Sequence, residues 1–497
     1  MATSAKETHD IALLRQKPVR MLIGGQWVEA ASGKTYETYN PATGKVLAQV
    51  AEGGREDAER AVKAARAAFE SGPWPKMTPS QRGRLLWKVA DLIEEHADEL
   101  AMLETLDNGK PIRYSKASDV PLTADHFRYF AGWATKIEGD TVPVSIPNMF
   151  TYTLREPLGV VAQIIPWNFP MQMASWKLAP ALAAGNTVIL KPAELTSLTA
   201  LRIGELMMEA GFPDGVVNIV TGPGSTVGAA LAEHPDVDKI AFTGSTEVGK
   251  QILMASAGNL KKVTLELGGK SPNIVFPDAD LKWAARGALT AIYFNSGQIC
   301  TAGSRLFVHK AIYDEMMDLL TKGAEAMKVG SGEDPATEVG PVISEGQLER
   351  VMGYVDVGRN EGAVARTGGK RLDGDLAGGY FLPPTVLDQV TDEMSVAREE
   401  IFGPVVVALP FEDIEEVARR ANSSIYGLAA GVWTSDVKKA HRMVSLLKSG
   451  VVWVNTYNQF DAAAPFGGYR QSGYGREMGR AVLDAYTQVK TAWINLR

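Results

Sequence analysis

Apolar residues recur at helical spacing soon after the chain begins. Ala58, Ala61, Val62, Ala65 and Phe69 fall on one face and predict a helix over 56–69. Similar spacing predicts a second helix over 80–106. Gly24-Gly25 and Asn40-Pro41 mark polar turns ahead of them. The period changes over 139–157, where Val142, Val144 and Ile146 alternate with small or polar residues and Tyr152 and Leu154 repeat the alternation. A paired-strand excursion is expected there.

From 159 to 267 short apolar runs alternate with helical patterns. The runs are 160–165, 187–190, 216–220, 240–243 and 263–267; the helices between them fall near 172–184, 197–210, 225–233 and 246–257. β-branched runs bounded by Gly and Pro and spaced by helices predict a parallel sheet covered on both faces. The fold class is therefore α/β and doubly wound, with ligands expected at the carboxyl ends of the strands. A second strand-helix series starts at 273–276, carries a long helical pattern over 280–295, and continues to about residue 457 with no linker at the boundary. Residues 485–496 read as one more strand. There is no internal repeat or low-complexity segment.

Composition narrows the function classes. At 497 residues the chain is too long for one ordinary core. Its 45% hydrophobic and 22% charged residues are ordinary for a globular protein, so pattern must identify the class. A net charge of -7 argues against a general nucleic-acid binder, which needs a basic face. One cysteine excludes a disulfide framework and a thiolate-rich metal site, so no metal is expected. The first twenty residues have no apolar core and carry Glu7 and Asp10, unlike a signal peptide. No apolar run approaches a membrane span. The expectation is a cytoplasmic protein with no membrane partner.

Two segments suggest a phosphate-bearing cofactor. Phe242-Thr243-Gly244-Ser245-Thr246-Glu247-Val248-Gly249 follows a predicted strand and opens a predicted helix, where free N–H groups attract phosphate. A plain turn capped by Ser245 is the competing reading, because the segment is not a G-x-G-x-x-G fingerprint. Lys191 and Glu194 follow another strand, where a lysine and a carboxylate can bind a ribose. The carboxylate would also repel a 2′-phosphate and favour NAD over NADP. A solvated charged pair is the alternative.

Cys300 is the candidate nucleophile. A lone cysteine is more often a small buried hydrophobe, but Ser296-Gly297 breaks the preceding helix and puts the thiol on a connection. A free thiol titrates at about 8.5 and needs activation. His9, His96, His126, His234, His309 and His441 all lie outside segments that look catalytic, which leaves a Cys-His hydrolase poorly supported. Glu266, ending an apolar strand before Gly268-Gly269-Lys270, is the better base; a strand-end carboxylate turned to solvent is its alternative. Asn168, in Pro166-Trp167-Asn168-Phe169-Pro170, offers a rigidly held amide to a developing oxyanion, or serves only as a turn residue.

Together PWNFP (166–170), KPAE (191–194), FTGSTEVG (242–249), LELGGKSPNI (265–274), GQIC (297–300), EEIFGPV (399–405) and PFGGYRQSGYGRE (465–477) resemble the aldehyde dehydrogenase superfamily over nearly the whole chain. The resemblance implies Cys300 as nucleophile, Glu266 as general base and Asn168 as oxyanion donor. It implies Lys191 and Glu194 at the adenosine ribose, Ser245 and Trp167 at the pyrophosphate, and Glu400 and Phe402 at the nicotinamide end, assisted by Gln347. Ile164, Gly244, Gly249 and Leu267 complete the expected NAD contacts, with NADP use left open. The expected organisation is an NAD-binding domain at 1–138 and 158–268, a catalytic domain at 269–470, and oligomerisation strands at 139–157 and 485–497. A homodimer or homotetramer would follow. Glu266 distinguishes a hydrolytic enzyme, which releases the free acid, from coenzyme-A-acylating relatives.

The resemblance also implies an aldehyde tunnel lined by Phe169, Met173, Trp176, Phe294, Ile299, Thr301, Tyr457, Phe460 and Phe466. An aromatic or medium-chain apolar aldehyde suits such a lining, and no arginine stands at these positions to pair with a carboxylate. Asp461 has no assigned role and is expected near the tunnel mouth. Two other readings remain at this point: a thiol-dependent hydrolase without redox chemistry, and a non-catalytic binding protein retaining the fold. Acid release from an ester without NAD would favour the first, and NAD binding without aldehyde turnover the second.

Overall fold

A computed structural model describes residues 11–497. The first half of the stretch read for a leader, with Glu7, His9 and Asp10, lies outside the described residues.

The first sheet has eight strands. Its centre is parallel, in the order Lys262–Glu266, Lys239–Thr243, Val160–Ile164, Thr187–Lys191, Val217–Ile219. Short antiparallel strands close both edges: Gly473–Tyr474 beside Lys262–Glu266, and Met21–Ile23 with Gln26–Val28 at the other end. Successive strand residues alternate between two cores. Val161, Val188 and Leu190 join the core under Pro79–Glu95, Val120–Trp133, Pro170–Ala183 and Leu198–Ala210. Val160, Ala162 and Ile189 join the opposite core under Arg55–Glu70. Burial on both faces is why these runs are continuously apolar.

The pattern over 80–106 is not one helix. Thr78 and Gln81 cap Pro79–Glu95 reciprocally, and a second helix runs Ala97–Asn108. His96 between them has ψ 22, outside the helical range, and its ring meets Glu99 and Arg202. A tertiary contact therefore breaks a helix that the spacing alone would continue. A one-turn π-helix, Ser115–Asp119, follows.

The second sheet has seven strands in the order Val364–Thr367, Thr385–Asp388, Val405–Phe411, Arg305–His309, Pro272–Val275, Ala429–Trp433, Val451–Val454. All neighbours are parallel except the first pair. Only residues 267–271 separate the end of the first sheet's Lys262–Glu266 from the second sheet's Pro272–Val275. The start of that connection, Leu267 and Gly268, lines the cavity described below.

Met149–Pro157 pairs antiparallel with Thr487–Asn495 over nine residues, forming a separate ribbon. The alternation over 142–146 is not a strand. Only Thr141 bridges to Tyr152, because Pro143 and Pro147 lack the N–H a ladder needs. Among the described residues no helix is long and apolar enough to cross a membrane.

Candidate active site

The segment that carries Cys300 is held by unusual backbone. Leu281–Tyr293 ends two residues earlier than its spacing predicts, and Asn295 (φ 47), Ser296 (φ 55) and Gly297 (φ 72) are all left-handed. Buried hydrogen bonds hold this conformation. Ser296 Oγ donates to Gly340 O at 2.8 Å, and the Ile343 N–H donates to Gln298 Oε1 at 2.9 Å. A side chain at Gly297 would meet the Gly403 carbonyl at 2.0 Å, so only glycine passes there. The chain then presents Cys300, partly accessible, to a cavity of about 470 Å³.

Burial pushes the Cys300 thiol up to about 12, helped by the Glu400 and Glu266 carboxylates and opposed by the Thr301 and Cys300 N–H groups. Asn168 and Glu266 line the same cavity. One N–H of the Asn168 amide donates to Gln298 O at 2.9 Å, and Asn295 Nδ2 donates to Asn168 O at 2.9 Å. The Asn168 amide is thus locked to the cysteine loop, and its second N–H has no partner among the described residues.

Glu266 ends its strand buried, and its Oε2 has no hydrogen-bond partner among the described residues. Burial holds its carboxyl well above the usual carboxylate range. Glu477 adds to this, while Lys177, Arg476 and the Gly468 N–H oppose it. Lys177 Nζ donates to Glu477 Oε1 at 2.7 Å, both side chains nearly fully buried. Neither residue was expected from the sequence. The available signal was a lysine inside 170–183, a helix whose every residue is buried.

All nine expected tunnel residues line the cavity. Phe169 and Phe294 lie nearly parallel, 6.2 Å between centroids, and Trp176, Phe460 and Phe466 form a second aromatic group with centroids 5.3–6.0 Å apart. Tyr457 OH donates to Thr301 O at 2.8 Å, so the tyrosine hydroxyl is already bonded within the protein. The lining is less uniformly apolar than expected: Ser118, Gln172, Thr290, Asn458 and Gln459 contribute too. Asp461 lies outside the lining and caps a turn, accepting from the Ala463 N–H at 2.8 Å.

At the other end stand Trp167, Gly244, Ser245, Leu267, Gln347, Glu400 and Phe402, joined by Arg350. The Gly269 N–H donates to Glu400 Oε1 at 2.9 Å, and burial pushes Glu400 up to about 7. A side chain at Gly268 would strike Glu400 Oε2 at 2.3 Å. Ser245 Oγ caps its helix by accepting from the Val248 N–H at 3.3 Å, so the turn is both a cap and part of the cavity.

Ile164, Lys191, Glu194 and Gly249 do not line this cavity. Lys191 Nζ donates to Glu194 Oε2 at 3.1 Å, and Glu194 Oε1 accepts from the Gly224 N–H at 2.6 Å. Ile164 and Gly249 pack locally, against Gly228 and Leu267. These residues sit at strand and helix ends of the first sheet, continuing from the cavity's cofactor end. A carboxylate with an ammonium, an open Gly224, and a glycine turn at a helix N-terminus fit a dinucleotide's ribose and phosphates.

The model of the aldehyde dehydrogenase family matches residues 27–492. The chain belongs to that family. A human mitochondrial aldehyde dehydrogenase is 52% identical over 499 residues, covering 99% of this chain and 96% of the relative. The solved NAD+ complex of the Bacillus cereus aldehyde dehydrogenase is 55% identical with TM-score 0.96, covering 98% of both chains. A Staphylococcus aureus betaine aldehyde dehydrogenase, solved with NAD+, is 45% identical with TM-score 0.96, covering 98% of this chain and 96% of that one. The protein is an NAD-dependent aldehyde dehydrogenase of α/β fold, as the motifs implied.

Proposed function

We propose that this aldehyde dehydrogenase oxidises an aromatic or medium-chain apolar aldehyde to the free acid through a covalent Cys300 thioester. One observation carries the reading: Cys300, Asn168 and Glu266 open onto one cavity whose far wall is aromatic. Cys300 attacks the aldehyde carbon as the thiolate, its proton lost to water in the first cycle and the thiolate regenerated by each deacylation, and the Asn168 amide with the Cys300 N–H steadies the oxyanion. Bound NAD accepts the hydride as the oxyanion collapses to the thioester. Glu266 then takes a proton from water, which attacks the thioester and releases the acid and the thiolate.

Glu400, Phe402 and Gln347 hold the nicotinamide end, with Trp167, Gly244, Ser245 and Leu267 along the phosphates. Lys191 and Glu194 take the adenosine ribose, with Ile164 and Gly249 shaping that end; the Glu194 carboxylate favours NAD over NADP. The NAD-binding part comprises 1–138 and 158–268, and the catalytic part 269–470. The ribbon at 139–157 and 485–497 joins subunits into a dimer or tetramer, in a cytoplasmic setting that keeps Cys300 reduced.

The test is NADH formation across aliphatic, aromatic, amino and carboxylate-bearing aldehydes, with NADP in parallel, on wild type and Glu266→Gln. Apolar aldehydes with NAD should give the highest kcat/KM. The Glu266→Gln variant should release a near-stoichiometric burst of NADH and then turn over slowly. Preference for a charged aldehyde would overturn the substrate class, and loss of the burst would overturn the assignment of Glu266 to deacylation.

A further inference from the structure

Behind the aldehyde cavity lies a buried ionic cluster to which the reaction gives no part. Lys110, Glu104 and Asp119 are all fully buried. Lys110 Nζ lies 2.9 Å from Asp119 Oδ2 and 3.6 Å from Glu104 Oε1. Gln172, a cavity residue, donates through Nε2 to Asp119 Oδ1 at 2.8 Å. Neither Glu104 oxygen has a hydrogen-bond partner among the described residues, and burial pushes its carboxyl up to about 8.

The ammonium has a second neighbour. Lys110 Nζ sits 4.1 Å from the centroid of the Phe169 ring. Phe169 lines the cavity and Lys110 does not, so Lys110 can act on a ligand there only through the ring. The π-helix Ser115–Asp119 makes this possible: it sets Asp119 on Lys110 and Ser118 in the cavity wall. A cation over an aromatic ring draws the ring's electrons toward itself. The side of Phe169 turned from Lys110 is correspondingly less negative.

We propose that Lys110, held by Asp119 and Glu104, is a positioning and specificity residue that acts through Phe169, making the aldehyde pocket favour electron-rich aromatic rings. Such rings include alkoxy- and hydroxy-substituted benzaldehydes. This deepens the aromatic reading of the pocket and rests on it. A purely structural role for Lys110 would weaken all ligands alike; a role through the ring changes the ranking of ligands by electron density.

Carbonyl reactivity would obscure that ranking, so the probes are anisole and nitrobenzene as competitive inhibitors against an aliphatic aldehyde, with NAD saturating. The Ki ratio is measured in wild type, Lys110→Met and Lys110→Arg. Wild type should bind anisole more tightly, Lys110→Met should shrink the ratio by about threefold, less than a direct desolvated cation–π contact because the charge acts through the Phe169 ring, and Lys110→Arg should largely restore it. If Lys110→Met does not fold, Lys110→Met with Glu104→Gln and Asp119→Asn leaves three neutral groups and carries the same comparison. An unchanged ratio with both inhibitors bound overturns the role of Lys110 alone. Failure of both rings to inhibit wild type overturns the aromatic reading of the pocket, and this inference with it.

Discussion

Burial dominates the ionisable groups around Cys300, and it acts in one direction on the acids. Glu266 is held above the ordinary carboxylate value of about 4.3 mainly by burial and secondarily by Glu477, with Lys177 the leading group that pulls it down. Only the ionised form can take a proton from water. Hydrolysis of the thioester should therefore slow about tenfold for each pH unit below the Glu266 value and level off above it. That limb should lie above the ordinary carboxylate range. Lys177→Met removes the opposing ammonium, so the limb should move to higher pH, whereas Lys177→Arg should leave it nearly in place. Single-turnover release of acid from preformed thioester, followed across pH, reads this directly. An unmoved limb in Lys177→Met would mean that another group sets it.

The loop that presents the thiol depends on contacts between elements. Gly297, at φ 72, has no room for a methyl group, which would run into the Gly403 carbonyl. Gly297→Ala should displace Cys300 relative to Asn168 and cost on the order of 10²-fold in kcat, since a misplacement of about an ångström suffices. NAD affinity, for which Lys191 and Glu194 away from this loop are the proposed contacts, should change much less. Equal losses in both would show general unfolding, which a melting curve would register. The sequence revealed the helix break here as Ser296-Gly297, because glycine and serine interrupt a helical pattern by local chemistry. It revealed the parallel strands too, since burial on both faces makes them uniformly apolar. It did not reveal the break at His96 or the Lys177–Glu477 pair, because both depend on partners distant along the chain. The π-helical turn at Ser115–Asp119 was equally hidden, since one extra residue per turn leaves no signature in apolar spacing.

At the scale of the whole molecule the ribbon is a two-stranded sheet that joins neither of the large sheets. A two-stranded ribbon is marginal in water unless something packs on it. Phe150, Leu154, Val489, Trp493 and Ile494 are all exposed on it, at 41%, 42%, 59%, 54% and 43%. Phe150, opposite Ile494, and Leu154 share one face, while Val489 and Trp493 lie on the other. Apolar groups on both faces and an open outer edge call for covering by another surface. The ribbon is anchored to its own subunit by Arg155 to Asp484, Lys262 Nζ to Thr487 O and Asn186 Nδ2 to Tyr486 O. A second copy of the chain is the proposed cover. Phe150→Asp with Ile494→Asp sets two carboxylates opposite each other on that face, where like charges repel. Light scattering should give an oligomer for wild type and a smaller species for the double variant. No ribbon residue lines the cavity, so NAD affinity in the dissociated variant should stay near that of wild type. An unchanged mass would show that other surfaces hold the subunits together, and a monomeric wild type would remove the ribbon's proposed role altogether.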